Sequence, residues 1–502
     1  MLNDYLKLIL TSKVYEAAEE TPLDPAPILS ARINNEIFFK REDSQDVFSF
    51  KIRGAYNKMA HLSPKELERG VITSSAGNHA QGVALSARKL GCKAIICMPV
   101  STPTVKVNAV RRLGAEVVLH GESYTETQTH AKHLCKQQNL TFIHPFDDQY
   151  VIAGQGTIAM EIMRQTPPDI KAIFCPIGGG GLVSGIAIYI KALYPHIKVI
   201  GVQTEDSAAM KTSIEAGKRV TLSDVGLFSD GTAVKQVGVH TFEICQKYVD
   251  DYVTVNTDEI CSAIRDVFLD TRNVVEPAGA LSVAGAKKYA HDNGLSGDKL
   301  IAITTGANMN FDLLRFVAER ASVGDYTEAL FSVTMPERKG SFKKLCAAIG
   351  NRQVTEFNYR ISDKQQAHVF IGIQTADQEG IRKLHAQLDS KFYDVRDLSN
   401  DDLAKTHIRH MVGGKSSLAE NELLYRFEFP ERPGALMNFL LAMNPEWNIS
   451  LFHYRNTGGD FGHVLCGIQV PPDSKKAFKE VIKSLGYRFV NETDNPAYKM
   501  FL

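Results

Sequence analysis

Between about residues 20 and 320, short continuously apolar runs alternate with longer runs whose apolar positions recur every three or four residues. The runs at 93–98, 115–119, 172–175, 199–202 and 300–304 predict buried strands, and those at 78–90, 105–113 and 182–193 predict helices. A strand without a polar face has to be covered on both sides. Strands of this kind separated by helices predict a parallel α/β sheet.

After about residue 324 the pattern changes and repeats. Pro336, Glu337, Arg338 and Gly340 return 94 residues on as Pro430, Glu431, Arg432 and Gly434. Phe357, Tyr359 and Arg360 return 95 residues on as Phe452, Tyr454 and Arg455, and Gly372, Ile373 and Gln374 return as Gly467, Ile468 and Gln469. Two copies fall short of a solenoid and predict a duplicated small domain. Each copy reads strand, Pro-Glu-Arg-x-Gly turn, helix, strand, turn, strand. A polar link containing Gly413 and Gly414 joins them over about 397–421. The expected domains are therefore 1–324, 325–400 and 420–502.

Composition narrows the class without naming a function. The 502 residues are 44% hydrophobic and 23% charged, ordinary values for a globular protein. Lys+Arg and Asp+Glu are both 57, so nothing favours nucleic acid or an anionic membrane as partner. No apolar run approaches the ~18 residues of a membrane span. The first twenty residues mix Asp4, Lys7, Lys13, Glu16, Glu19 and Glu20, unlike a secretion signal, and a cytoplasmic location is expected. Eight scattered cysteines lack metal-ligand spacing and are expected to be buried free thiols, with no metal site.

Four stretches carry candidate chemistry. Lys51 sits among Ser49, Phe50, Gly54 and Ala55, a close-packed setting that would depress its pKa and free the amine for Schiff-base chemistry. Ser75, Ala76, Gly77, Asn78 and His79 follow a strand-like run and open a helix. They read either as a capped turn or as N–H groups holding a substrate carboxylate. His79 is read as structural rather than as a base. Gly178, Gly179, Gly180 and Gly181, followed by Leu182, form a strand-to-helix turn with more glycines than a plain turn needs. Four of them let the backbone wrap an anion. The dinucleotide pattern G-x-G-x-x-G fails at Val183, which leaves a nucleotide site with Glu205 as a lesser alternative. Thr304, Thr305, Gly306, Ala307 and Asn308 end a strand, where α/β proteins place ligands. A strand-end turn is the plainer reading.

Taken with Pro22-Leu23, Lys40-Arg41-Glu42-Asp43, Arg53 and Glu276-Pro277-x-Gly279-Ala280, these motifs resemble the fold type II family of pyridoxal-phosphate enzymes. More narrowly, the chain resembles the biosynthetic threonine ammonia-lyases (threonine dehydratases), nearly end to end. The resemblance implies a catalytic domain of two parallel-sheet α/β lobes and an α+β regulatory domain of two ACT-like repeats. It implies that Lys51 forms the Schiff base with pyridoxal 5'-phosphate and moves the α-proton. Asn78 would bond the ring hydroxyl, Gly178 to Leu182 would hold the phosphate, and Thr305 would stand where the family has a serine near the pyridine nitrogen. Further implications are L-threonine as substrate, isoleucine and valine as effectors at Tyr359 and Tyr454, and a homotetramer. Ala76 stands where serine racemases of this fold carry a serine, which favours elimination. The competing readings are a serine/threonine dehydratase or racemase with another regulator, and an amino-acid sensor with a silent catalytic half.

Overall fold

The computed structural model describes residues 1–166, 169–430, 435–444, 446–455 and 461–502. The chain forms two compact units, Met1–Ala321 and Ser322–Leu502. The division falls inside the helix Leu313–Gly324, a few residues ahead of the change in sequence pattern.

The first unit holds two sheets. One has four parallel strands in the order Glu116–Leu119, Ala94–Met98, Val71–Ser74, Thr141–Phe142. The other has six, in the order Leu23–Pro25, Glu36–Arg41, Lys299–Thr304, Ile170–Pro176, Lys198–Thr204, Asp251–Val255. Only its first pair is antiparallel. Strand Ile170–Pro176 shows why its sequence lacks a polar face. Ile173 and Cys175 pack with Ile158, Ile162 and Ile186 on one side, while Ala172 and Phe174 pack with Ile264, Leu281 and Tyr289 on the other. Each fully buried side chain of the size of Ile or Phe contributes about 1.5–3 kcal/mol. The 115–119 run, expected to be buried, is instead an edge strand whose residues are exposed or half-buried, because only one neighbour pairs with it.

The second unit is an antiparallel eight-stranded sheet in the order Asp394–Asp397, Glu328–Pro336, Gln366–Gln374, Val354–Arg360, Asn448–Arg455, Phe461–Gln469, Glu422–Pro430, Arg488–Asn491. The order is the same read from either end, repeat for repeat. At the junction Phe357 pairs with Tyr454 and Tyr359 with Phe452. The rings of the equivalent Phe357 and Phe452 meet edge-on, 5.1 Å apart.

Each repeat carries more than its sequence pattern suggested. A second helix (Gln378–Asp389 or Lys475–Ser484) and a fourth strand (Asp394–Asp397 or Arg488–Asn491) complete it. In the first copy the Pro-Glu-Arg-x-Gly turn links strand to helix as expected; in the second, residues 431–434 lie outside the described residues. The polar link between the copies is anchored in the fold. Its Arg409 is buried and donates from Nε to Glu356 at 2.9 Å. No disulfide occurs among the eight cysteines, of which Cys92 and Cys135 are only half-buried. No helix among the described residues is long and apolar enough to cross a membrane.

Candidate active site

Three loops at carboxyl ends of strands carry the residues singled out above. Val71–Ser74 runs into residues 75–77 and the helix Asn78–Leu90. Ile170–Pro176 runs into the glycine loop and the helix Gly181–Leu193. Lys299–Thr304 ends beside Thr305. Parallel α/β sheets collect ligands at this edge because helix N-termini and strand-end N–H groups converge there.

Lys51 is the first residue of the helix Lys51–Met59. The chain reaches it through Phe48, which holds a left-handed φ of 54° unusual for a bulky residue. Two backbone bonds pin the approach to the threonine loop: Phe50 N–H to Thr305 O (3.2 Å) and Ala307 N–H to Phe48 O (2.9 Å). Packing then fixes the helix. A Cβ on Gly82 would stand 3.1 Å from the Lys51 carbonyl, and one on Gly154 would stand 2.8 Å from the Arg53 carbonyl oxygen. Arg53, fully buried, donates to Glu42 (2.8 and 2.7 Å) and to Glu161 (2.5 and 3.0 Å). Lys40 pairs with the same Glu161 at 2.7 Å, so two carboxylates and two cations balance out of water.

The Lys51 amine donates to Pro145 O at 3.3 Å and lies 5.0 Å from the centre of the Phe50 ring. Burial pushes its pKa down to about 8, against the opposing pull of Glu276. An amine at that value is roughly one-tenth free base at neutral pH, far more than an ordinary lysine, and the free base is the form that acts as nucleophile and proton carrier.

Asn78 donates from Nδ2 to Glu276 Oε1 (2.5 Å) and accepts from Asn308 Nδ2 (2.7 Å). Asn308 also donates to Val47 O at 2.8 Å. Its residue was visible in the threonine loop, but nothing in the sequence indicated that it orients Asn78. Burial, reinforced by Asp230, pushes Glu276 up to about 7; Asn78, Lys106 and Lys51 oppose the shift. Asp230 is in turn ion-paired to Lys106 from the four-stranded lobe. Neither Asp230 nor Lys106 lies in a motif that sequence could flag.

Ser75 accepts from Gly77 N–H at 3.4 Å, and a Cβ on Gly77 would meet nothing within 4 Å, so this loop borders open space. Ala76 lies beside it, half-buried. His79 is buried and donates from Nε2 to Ile143 O at 3.1 Å. Burial, with the charge of Lys51, pushes its pKa down to about 3, so the ring stays neutral. Thr305 donates from Oγ1 to Ala278 O at 3.0 Å, which leaves its lone pairs to accept. Thr304 turns away to Lys40 O and Asp43. Glu205 lies apart from this group, exposed and 3.6 Å from Lys288.

The glycine loop has no room for side chains. A Cβ on Gly178 would stand 3.1 Å from Thr232 Cα, one on Gly179 would enter the Phe146 ring, and one on Gly181 would stand 3.0 Å from the Phe146 carbonyl oxygen. Gly180 takes a φ of 98°. Thr241 Oγ1 holds the Gly179 carbonyl at 2.7 Å, which turns that oxygen away from the loop mouth. The first N–H groups of the helix Gly181–Leu193 have no acceptor within the helix. Only a bare backbone fits here, and it offers N–H groups to an anion, so the residues present suit the phosphate of pyridoxal phosphate. Ser49 Oγ, two residues before Lys51, is buried with no hydrogen-bond partner among the described residues.

In the second unit Tyr359 and Tyr454 are both buried in the two strands that join the repeats. Tyr359 donates its hydroxyl to Glu337, in the turn that follows Glu328–Pro336.

A low-pKa lysine and a glycine anion cradle that adjoin the same segment, Pro145-Phe146, at the carboxyl edges of α/β sheets define a pyridoxal-phosphate enzyme of fold type II. Residues 14–306 match the family described as pyridoxal-phosphate dependent enzyme. Residues 319–408 and 413–502 each match the C-terminal regulatory domain of threonine dehydratase. The chain is 59% identical over 503 residues to the biosynthetic L-threonine dehydratase of Burkholderia multivorans, covering 100% of this chain and 99% of that one. Among solved structures, the processed threonine deaminase isoform 2 of Solanum lycopersicum superposes with a TM-score of 0.63 at 50% identity, covering 64% of this chain and 93% of that one. Maize serine racemase superposes with a TM-score of 0.59 at 30% identity, covering 63% and 96%. The chain belongs to the biosynthetic threonine dehydratases.

Proposed function

We propose that Lys51, Asn78 and the Gly178–Leu182 loop carry the conversion of L-threonine to 2-oxobutanoate and ammonia, the step that commits threonine carbon to isoleucine. Pyridoxal phosphate, when bound, supplies the electron sink that makes the threonine α-proton acidic. The observation that carries the reading is the Lys51 amine, lowered to about 8, hydrogen-bonded to Pro145 O next to the Phe146 against which Gly179 and Gly181 pack, on a chain pinned to Thr305.

In this reading Gly178, Gly179, Gly180, Gly181 and Leu182 hold the cofactor phosphate through backbone N–H groups. Asn78 meets the ring hydroxyl, held in orientation by Asn308. Thr305 is the neutral partner of the pyridine nitrogen: its hydroxyl turns from Ala278 O to donate to an unprotonated nitrogen, which keeps the ring a weaker sink than one held protonated by an aspartate. The loop Ser75, Ala76, Gly77, Asn78 and His79 receives the substrate carboxylate. Lys51 takes the α-proton, and the β-hydroxyl leaves as water once protonated. Water then returns as ammonia departs, so the net change is threonine to 2-oxobutanoate plus ammonia. Ala76 puts no hydroxyl on the face opposite Lys51, which favours elimination over racemisation.

The second unit is read as the sensor: isoleucine inhibits, valine opposes it, Tyr359 and Tyr454 line the effector sites, and the assembly is a cytoplasmic homotetramer. The coupling expected between such sites is about 1–3 kcal/mol. The deciding assay follows 2-oxobutanoate from L-threonine, with isoleucine absent, present, and present with valine. Loss of rate with isoleucine and its return with valine support both halves. A rate indifferent to isoleucine removes the regulatory half. No product from protein that carries a borohydride-reducible cofactor at Lys51 removes the threonine assignment.

A further inference from the structure

Glu337 is a half-buried carboxylate without a counter-ion among the described residues. The groups that face it are the Tyr359 hydroxyl from the strand Val354–Arg360, the Asn448 side chain from the strand Asn448–Arg455, and Asp363 from the turn before Gln366–Gln374. Two are neutral donors and the third is another anion. Burial raises its pKa, and Asp363 adds to the shift. Neither of its two cationic neighbours in sequence pairs with it among the described residues. Lys339 pairs with Glu446 at 2.7 Å, and Arg338 lines a separate cavity of about 170 Å³ with Met335, Ser341, Lys344 and Phe392. A carboxylate desolvated against neutral partners gains strongly when a cation docks on it.

Apolar surface lies directly beside it. Phe342 meets the Tyr359 ring edge-on at 4.9 Å and stacks on Phe357 at 5.3 Å. Phe342 is only half-buried, and a Cβ on Gly340 would meet nothing within 4 Å, so the approach is open. An anion with two neutral donors next to an aromatic floor matches a primary ammonium attached to a branched aliphatic chain.

We propose that Glu337 is the counter-ion for the α-ammonium of the amino-acid effector in the first repeat, with Phe342 and Tyr359 under its side chain. The proposal rests on the regulatory reading above and assigns a role to one residue within it. On docking, the ammonium displaces the Tyr359 hydroxyl from the carboxylate. The occupied and empty states therefore differ in a hydrogen bond between the helix-entry turn and the strand that joins the two repeats.

The test is calorimetric titration of the full-length holoenzyme with L-isoleucine and with 3-methylpentanoate, the same molecule lacking the ammonium. The wild type should prefer isoleucine. Glu337→Gln should weaken isoleucine at least tenfold and leave 3-methylpentanoate unchanged, so the preference collapses. Glu337→Asp should restore part of it. Tyr359→Phe keeps the carboxylate and should keep the preference. If Glu337→Gln binds isoleucine like the wild type, the assignment of Glu337 falls while the regulatory reading stands. If Tyr359→Phe loses the preference as fully as Glu337→Gln, the carboxylate only props the phenol and the proposal is overturned. If the wild type binds neither compound, the regulatory reading fails and the proposal fails with it.

Discussion

Replacing Arg53 with methionine tests the frame that aims Lys51. Arg53 makes two bonds to Glu42, two to Glu161, one to Thr157 (3.2 Å) and one to the Glu19 carbonyl (3.1 Å), at a site closed to solvent. Methionine fills much of the volume but leaves two buried carboxylates facing the single cation Lys40. Removing one member of a buried pair costs about 3–5 kcal/mol, a large part of the ~5–15 kcal/mol that holds a domain together. Adding Glu42→Gln restores neutrality and should recover about half of the loss. Urea unfolding of the holoenzyme, followed by far-ultraviolet circular dichroism, measures both. A loss below about 1 kcal/mol, the range of an exposed pair, would refute the reasoning. So would a double variant no more stable than the single one. The network also sets an acid limit. Burial alone would raise the Glu161 carboxyl, but Arg53 and Lys40 outweigh it and hold it below its ordinary 4.5. A depressed carboxylate contributes fully above its unfolded value and loses that contribution as pH falls through its lower folded value. Acid unfolding of the wild type should therefore lie below pH 4.5, and that of Arg53→Met should move upward.

Three further outcomes follow from the site. Lys51→Ala should keep the fold but lose turnover and the borohydride-reducible band together; turnover retained above about 1% would place the proton carrier elsewhere. Gly179→Ala drives a methyl into the Phe146 ring and should weaken pyridoxal-phosphate binding at least tenfold by equilibrium dialysis, while unchanged binding would mean that the loop does not touch the cofactor. Glu276, raised to about 7 partly by Asp230 and held down partly by Lys106, should respond with opposite signs. The carboxyl band of Glu276, followed by infrared difference titration of the holoenzyme, should move to lower pH in Asp230→Asn and to higher pH in Lys106→Met, and shifts in the same direction would contradict these two charge contributions.

The sequence by itself determined what short-range chemistry dictates. Short unbroken apolar runs such as 172–175, alternating with helical runs, point to strands covered on both faces, and Ile173 and Phe174 do bury on opposite sides. The glycine run announced a strand-to-helix turn, found between Ile170–Pro176 and Gly181–Leu193. The 94- and 95-residue repeat announced two like domains, and the resemblance carried by contiguous motifs named the family. The pairings that give those motifs their chemistry join residues far apart in the chain, and only the tertiary structure decided them. Asn78 reaches Glu276 and Asn308 across some two hundred residues; Arg53 reaches back to Glu42 and on to Glu161; Lys106 meets Asp230 from another lobe. The fourth strand of each repeat escaped the pattern because Asp394–Asp397 and Arg488–Asn491 are edge strands, largely exposed and without an apolar signature, whereas the second helix did carry one, in Ile381, Leu384 and Leu388 and in Phe478 and Ile482 at helical spacing. Local pattern records what a residue must be buried from. Which partner shares the burial, and so which amine loses its proton and which carboxyl keeps one, is set by desolvation and charge in a place that exists only once the chain has closed on itself.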